Sequence, residues 1–198
     1  MVCYSVPHRS GFHDFNVEPV VMFAGSRYGY LPRKVTESLV LALAKEGFSF
    51  STGCAKGIDY SFRLALSNLN MHEKSFVACA LVGRADIRNT LGLPASMVVP
   101  EFLPPKKALH KRTVYLVKKT SLAIVFPDNP FSNVWGKGSK LVIRECIKSG
   151  KPVFVVSDKM LEDSCEYKIL PSSLYGIING YWVLSKNKCQ GVKHEHNY

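Results

Sequence analysis

Several common sequence signals are absent from this chain of 198 residues. No apolar run approaches the ~20 residues that a membrane-spanning helix needs, and the beginning, MVCYSVPHRS, lacks the pattern of a signal peptide. The six cysteines include no C-x-x-C pair and no short cysteine–histidine grouping that could form a tetrahedral zinc site, and we expect no disulfide framework. We therefore expect a soluble protein of the reducing cytoplasm, with no membrane partner, metal or cofactor.

Acidic residues are scarce: 15 Asp and Glu stand against 26 Lys and Arg, so the formal net charge is +11. Such an excess attracts phosphates and nucleic acids and speeds encounters with them. Because a basic protein need not bind nucleic acid, charge alone leaves both interpretations open. Hydrophobic residues make up 46% of the chain, enough for a sizeable core, and we expect one domain over 1–198.

Apolar runs alternate with amphipathic helical patterns along the chain. Strands that are apolar on both faces indicate a parallel sheet covered on both sides, whereas apolar residues recurring every three or four positions indicate helices. The expected strands are EPVVMFAG, FSFSTG, KSFVACALVG, SLAIVFP and KPVFVVS, and the expected helices are RKVTESLVLALAKEG, IDYSFRLALSNLN, PPKKALHKRTVYLVKKT and GSKLVIRECIKSG. This order predicts a doubly wound α/β fold, Rossmann-like, with a mostly parallel sheet and helices on both faces.

Two segments fit this alternation poorly. The proline-containing stretch RADIRNTLGLPASMVVPEFLPP is expected to form a long loop at the rim of the sheet. The core is expected to cover about 19–157, followed by an irregular C-terminal extension over 158–198. In that extension YWVLS predicts a late edge strand, and NKCQGVKHEHNY predicts a polar end whose His194 and His196 are interpreted as solvated rather than metal-binding.

Glycine, hydroxyl and basic residues follow three of the expected strands. In a doubly wound sheet the ligand site lies at the carboxyl ends of the strands, where loops meet helix N-termini. Glycine lets the backbone approach a ligand, hydroxyls and amides donate hydrogen bonds to it, and arginine and lysine attract phosphates. The three loops contain Gly25, Ser26 and Arg27; Ser51, Thr52, Gly53, Lys56, Gly57 and Asp59; and Gly136, Gly138 and Ser139.

Each loop taken singly is also consistent with an ordinary turn, and Asp59 is explained equally well by the dipole of the helix that it begins. The second loop lacks the spacing of a Walker A motif. Three such loops on one sheet edge nevertheless favour an anion site, and we predict that they converge in one pocket. Ser139 is interpreted as a helix N-cap or a phosphate contact. For Cys54, beside Lys56, a nucleophilic role is weighed against that of a buried bystander.

The combined pattern resembles the SLOG superfamily of Rossmann-like domains over roughly 20–157. Its most specific part, Gly25-Ser26-Arg27 with Gly53-x-x-x-Gly57-Ile58-Asp59, is similar to the GSR and S-G-x-A-x-G-I-D elements of the DNA-processing protein A (Smf) family. In that family a basic R-N-R segment precedes the strand that matches SLAIVF, and Lys111 and Arg112 keep the basic character here without the asparagine. We expect these two residues to add a basic rim to the mouth of the pocket.

The resemblance implies a protein that binds a nucleotide or a nucleic-acid phosphate at these loops. An alternative that it implies is a single-stranded DNA-binding recombination mediator that works as a homodimer. A protein that binds single-stranded DNA would also need aromatic side chains exposed along a basic groove. The candidates for this role are Tyr28, Tyr30, Tyr115, Phe131 and Trp135.

The superfamily also includes the LOG nucleotide hydrolases, so a nucleoside monophosphate phosphoribohydrolase is a further alternative. Their P-G-G-x-G-T-x-x-E element is similar to WGKGSKLVIRE in this chain. The place of the active-site glutamate is taken by aliphatic residues near Leu141 and Val142, and Glu145 lies one helical turn later. Because no carboxylate stands in position for acid–base catalysis, we do not expect an enzyme.

Overall fold

The structure is a computed structural model that describes residues 18–81, 84–97, 103–159 and 163–186. Its helices are α1 (Arg33–Lys45), α2 (Ile58–Asn68), α3 (Ile87–Thr90), α4 (Pro105–Lys119) and α5 (Lys137–Lys148). Its strands are β1 (Val20–Gly25), β2 (Ser49–Gly53), β3 (Ser75–Cys79), β4 (Ala95–Met97), β5 (Leu122–Phe126), β6 (Val153–Val155), β7 (Tyr167–Leu174) and β8 (Ile178–Ser185). None of the described helices is long and apolar enough to cross a bilayer.

The strands form one sheet in the order β4-β3-β2-β1-β5-β6-β8-β7. The neighbouring pairs from β4 to β6 are parallel, and β8 joins β6 and β7 in antiparallel fashion. The chain moves outward from β1 through β2 and β3 to β4, then returns to the other side of β1 with β5. The prediction of a doubly wound, mostly parallel sheet is confirmed.

Two apolar layers hold the helices against the faces of the sheet, because successive residues of a strand point to opposite faces. From β1, Val21 and Phe23 pack with residues of α1 and α2, including Phe62, whose ring stacks on that of Phe23 at 3.8 Å between centroids. From the same strand, Met22 and Ala24 pack with residues of α4 and α5 on the opposite face. The strands are therefore apolar on both sides, which is the pattern that revealed them in the sequence.

The C-terminal region differs from the sequence prediction. Instead of an irregular extension, residues 167–185 form the β7–β8 hairpin, which continues the main sheet. The YWVLS stretch lies in β8, and β8 is not an edge strand because β7 lies outside it. Pro171 obscured β7 in the sequence, although proline is compatible with an edge strand, where one side needs no ladder donor. The NKCQGVKHEHNY end, with His194 and His196, lies outside the described residues.

The stretch predicted to be a long rim loop also contains regular structure. Within it the structure forms the short helix α3 and the three-residue strand β4, which pairs with β3 at the end of the sheet. The Asp86 side chain caps α3 by accepting a hydrogen bond from the backbone amide of Asn89 at 3.0 Å. Elements this short give almost no periodic signal, which explains why they were missed.

The C-terminal end of α4 is held by a lysine from the next crossover. The Lys151 ammonium donates hydrogen bonds to the carbonyls of Val117, Lys118 and Thr120 at 2.6, 2.8 and 2.5 Å. The last carbonyls of a helix lack intrahelical partners and carry its partial negative charge. One cation therefore satisfies several of these groups and ties α4 to the start of β6.

We expect Lys151→Met to lower the free energy of unfolding by about 2 kcal/mol, because it removes charge-assisted hydrogen bonds to carbonyls that lie at a helix end. Urea unfolding followed by circular dichroism measures the loss. Lys74→Met, at an exposed position, is the control and should leave the unfolding midpoint unchanged. Equal midpoints for the two variants would show that water satisfies the α4 carbonyls equally well.

Candidate functional site

The three predicted loops lie at the carboxyl ends of three adjacent strands. The loop after β1 carries Arg27, the loop after β2 carries Lys56, and the loop after β5 leads into α5. Between β1 and β5 the chain reverses its direction of progress through the sheet. In open α/β sheets a crevice forms at such a switch point, and ligands bind in it.

The first loop is held in place by hydrogen bonds to its neighbours on both sides. The Ser26 amide donates to the Phe126 carbonyl at 2.8 Å, and the Ser26 carbonyl accepts from the Ile58 amide at 3.1 Å. The Ser26 hydroxyl accepts from the Tyr28 amide at 3.2 Å, and the residue is buried. Ser26 therefore shapes the loop, and the loop in turn presents Arg27 and Tyr28 at the surface.

Two of the glycines are required by close packing between the loops. A Cβ on Gly25 would lie 2.4 Å from the Phe126 carbonyl oxygen and 2.7 Å from Cγ1 of Ile58. Gly57 has φ +72°, and a Cβ there would lie 2.4 Å from the Ser26 carbonyl oxygen. Side chains at these positions would push the first loop away from the start of α2. By contrast, a Cβ on Gly136 or Gly138 would meet nothing within 4 Å.

Buried charged groups support the second loop from below. Arg63 donates from its two terminal nitrogens to the carbonyls of Gly53 and Ala55, and the Ala55 amide donates to Oδ2 of Asp59 at 3.3 Å. Nη2 of Arg112 lies 4.0 Å from the same carboxylate oxygen. Burial raises the pKa of Asp59, while the two guanidinium groups act in the opposite direction. The cluster fixes the loop and stands beneath it rather than in the crevice.

Cys54 belongs to the same buried cluster. Its Sγ lies 3.5 Å from Nη1 of Arg112, and the residue is 3% exposed. The hydrogen bond with the Cys79 thiol and the charge of Arg112 hold the pKa of Cys54 below its usual value, against the effect of burial. A reactive cysteine also needs access to its substrate. The burial of Cys54 therefore favours the bystander interpretation.

The remaining predicted site residues divide into an exposed and a buried group. Arg27, Lys56, Lys111, Gly136 and Gly138 are exposed, whereas Ser26, Ser51, Thr52, Gly53, Gly57, Asp59, Arg112 and Ser139 are buried. The Ser51 hydroxyl donates to the Val21 carbonyl at 3.5 Å, and the buried Thr52 hydroxyl has no hydrogen-bond partner in the described part of the chain. Whether any of these residues binds a ligand stays a prediction, but only the exposed group reaches the surface directly.

Two expectations about individual residues need correction. Arg112 does not form a surface rim with Lys111, because neighbouring residues of a helix point about 100° apart and Arg112 faces the interior. Ser139 is not the N-cap of α5: Gly136 occupies that position, and Ser139 is a buried residue of the first turn. The first amides of α5 have no intrahelical acceptor, so they are available to an anion at this edge.

The structure also identifies which aromatic candidates are exposed. Tyr28 and Phe131 are 60% and 82% exposed, and their rings meet edge to face with 6.0 Å between centroids. Tyr30 is exposed as well, whereas Tyr115 and Trp135 are partly buried against the core. The sequence contained both members of the pair, but their contact across two separate loops could not be read from it.

Asp128 is a site residue that the sequence prediction missed. It lies two residues after β5, and its Oδ1 accepts hydrogen bonds from Nε1 of Trp135 at 2.8 Å and from the Ser157 hydroxyl at 3.1 Å. These bonds join the loop after β5 to the loop after β6. Its position at a strand end in FPDNP was the available signal. No cluster of three or more His, Cys, Asp or Glu side chains in the described ranges is placed to hold a metal ion.

Substitutions of Arg112 and its neighbour Lys111 test whether Arg112 supports the second loop from the interior while Lys111 lies at the surface. We expect Arg112→Ala to lower the free energy of unfolding by about 3 kcal/mol, since it leaves the buried Asp59 without one of its cations. Lys111→Ala should change stability by less than about 0.5 kcal/mol, because Lys111 is exposed. Chemical denaturation of both variants tests this, and equal stabilities would contradict a supporting role for Arg112.

Two solved structures are similar to this one. DNA-processing protein A from Helicobacter pylori, which binds single-stranded DNA, matches with a TM-score of 0.53 and 20% sequence identity, over 74% of this chain and 69% of that protein. DNA-processing protein A from Streptococcus pneumoniae matches with a TM-score of 0.54 and 20% identity, over 73% of this chain and 52% of that protein.

The chain thus spans about half the length of the Streptococcus pneumoniae protein. No protein-family model matches the sequence, and no curated protein matches it significantly. At this level of identity, the likeness establishes the architecture of the sheet and its helices. The chain has the Rossmann-like fold of DNA-processing protein A.

Proposed function

We propose that the chain binds single-stranded DNA across the carboxyl ends of β2, β1 and β5. Backbone phosphates bind at Arg27 and Lys56, and bases stack on Tyr28 and Phe131. The observation that carries the proposal is the exposed aromatic pair next to Arg27 at the switch point of the sheet. It combines the two elements of non-sequence-specific strand binding, which are a basic surface and aromatic platforms.

The phosphate part of the proposal rests on how the first two loops are built. Hydrogen bonds to Phe126 and Ile58 hold the Ser26 backbone, so the following Arg27 is presented from a fixed point. Lys56 is exposed on the second loop, directly before the close contact of Gly57 with Ser26. Arginine can bind a phosphate through two parallel hydrogen bonds, and lysine adds a point charge.

The exposure of the Tyr28 and Phe131 rings favours single-stranded DNA over a single nucleotide as the ligand. A site for one small molecule usually buries most of its ligand in a concave pocket. Tyr28 at 60% and Phe131 at 82% exposure instead offer ring surfaces that flanking nucleotides can reach from the side. The net charge of +11 and the strand-binding Helicobacter pylori protein of the same fold give further support. Binding of a mononucleotide at the same loops is the less specific alternative to binding of single-stranded DNA.

Hydrolysis of a nucleoside monophosphate is the second candidate function, and the position of Asp128 is the observation in its favour. Glu145 lies about 12 Å along α5 from Lys137, well below the strand ends. Asp128 lies closer to the strand ends, two residues after β5, but its Oδ1 already accepts two hydrogen bonds that hold the loop. Release of free base that stops in Asp128→Ala would favour this function.

The homodimer and the cytoplasmic location remain predictions.

We expect Arg27→Ala to weaken binding of an oligothymidylate by about thirtyfold, or about 2 kcal/mol, because a charge-assisted contact to a phosphate is lost. Fluorescence anisotropy at several salt concentrations measures this. The slope of log affinity against log salt should become shallower by about 0.7, the value for one phosphate.

Lys45→Ala is the matched control for this experiment. It removes the same charge from the C-terminal end of α1, where the side chain is exposed at the opposite edge of the sheet. It should leave the affinity within about twofold of the parent protein, since a distant exposed charge is screened. Equal losses in the two variants would show that binding depends on net charge and not on the proposed site.

The aromatic pair gives a separate prediction. We expect Tyr28→Ala combined with Phe131→Ala to weaken oligonucleotide binding by about 2 kcal/mol or more while the salt slope stays unchanged, because stacking involves no counterion release. Tyr28→Phe with Phe131→Tyr keeps both rings and should retain affinity. A loss of affinity in this ring-conserving control would mean that the rings do not act by stacking.

A further inference from the structure

A large cavity lies away from the strand ends, on the face of the sheet that carries α4 and α5. It has a volume of about 570 Å³ and runs between α5 and the β7–β8 hairpin. Its floor includes Ile169, Val183 and Val155. Strand register explains this: Ile169 pairs with Val183, and Val183 pairs with Val153, which lies two residues before Val155 on the same face of β6. Side chains of paired residues stand on the same face, so these positions form one continuous apolar strip.

The walls of this groove have a distinct character on the helix side. Ile143 and Ile147, one turn apart on α5, face the groove, and Tyr167 extends the apolar surface from β7. Above them the charged side chains Lys140, Arg144 and Lys148 follow one another at intervals of four residues along the same helix. Four-residue spacing places side chains on one face of a helix. The groove therefore has an apolar floor and a basic rim that extends for about 12 Å.

The groove lies over a part of the sheet that the described helices do not cover completely. On this face α4 and α5 cover the middle of the sheet and α5 also contacts β8, whereas the outermost strand β7 lies beyond the main contacts of the described helices. The floor residues Val155 and Val183 are buried, but the apolar side chains Ile143, Ile147 and Ile169 along the groove are only partly covered. Apolar surface left uncovered in this way marks a place where a partner can bind. The helix-in-groove mode of recognition uses apolar anchors along one face of an amphipathic helix.

We propose that this groove binds an acidic amphipathic helix of a partner protein. The charge of the rim selects the occupant: three basic side chains line the groove, and Glu166 is the acidic residue among the lining side chains. Glu145 on the same helix pairs with Arg144 at 3.3 Å and reduces the rim charge without reversing it. Carboxylates flanking the apolar anchors of a partner helix would complement the remaining positive charge.

The same charge argument disfavours the alternative occupants within this chain. A second copy would bring another protein of net charge +11 to a basic rim. The segment 187–198 has two lysines and one glutamate, and the segment 1–17 has one arginine and one aspartate, so neither supplies an excess of carboxylates. The proposal is independent of DNA binding, because the groove residues differ from Arg27, Lys56 and the exposed aromatic pair.

Selection from a displayed peptide library tests the proposal. The library consists of helices of roughly 14 residues, about four turns, with fixed leucines on one face and Asp, Glu, Lys, Arg or Ser at every other position. Selection against the full chain should enrich acidic sequences. The enriched peptides should bind Arg144→Glu/Lys148→Glu about tenfold more weakly, as expected for two lost rim contacts.

Lys45→Glu/Lys74→Glu is the matched control, since it reverses the same number of exposed charges elsewhere. It should bind the peptides as tightly as the parent protein, and both double variants should keep oligonucleotide affinity within about twofold. Enrichment of basic or neutral helices, equal peptide binding by the two double variants, or no enrichment at all would overturn the proposal. A dimer in sedimentation that dissociates only in Arg144→Glu/Lys148→Glu would also overturn it, by making a second copy the occupant.

Discussion

The close approach of α2 to the end of β1 is the constraint on which the site depends. The Ile58 amide reaches the Ser26 carbonyl only because Gly57 has a left-handed backbone and no side chain. This contact fixes the first loop from one side, while the Phe126 carbonyl fixes it from the other. Consequently Arg27 and Tyr28 emerge from a braced turn, and their positions relative to β5 are determined before any ligand arrives. Preorganisation of this kind reduces the entropy that binding must overcome.

The bracing explains why several residues that looked like ligand contacts are buried. A loop whose carbonyls face inward needs donors beneath it, and Arg63 supplies them to Gly53 and Ala55. A buried cation needs a counter-charge, which places Asp59 beside Arg63 and Arg112. The residues most specific to the G-x-x-x-G-I-D element thus support the loop, and its exposed member is Lys56. A motif can therefore be specific for a binding loop while few of its side chains reach the surface.

The parts of the fold that sequence predicted are those with long periodic signals. Apolar residues recur on the packed faces of these elements, and such a repeated pattern is recognisable even where single residues depart from it. The elements are the helices α1, α2, α4 and α5 and the strands from β1 to β6, apart from β4. The β7–β8 hairpin was harder to recognise, because the outer strand contains Pro171 and has an exposed side. At the site, residue types predicted which loops matter. They could not predict burial, because the inward turn of Arg112 beside the exposed Lys111 depends on how α4 is rotated against the sheet.

The position of the hairpin also explains how one basic chain can present two different surfaces. Crossover helices cover a parallel sheet on both faces, but an antiparallel hairpin adds two strands without adding a helix. The apolar strip of β8 and β7 is therefore left beside α5, whose first turn belongs to the strand-end site and whose later turns line the groove. At the strand ends, basic side chains stand beside exposed rings and suit a flexible polyanion. Along the groove, basic side chains stand above an apolar floor, so a ligand there must bring apolar and acidic groups together in a fixed arrangement. Differences in the apolar neighbours of the charges, rather than in the charges themselves, separate the two surfaces.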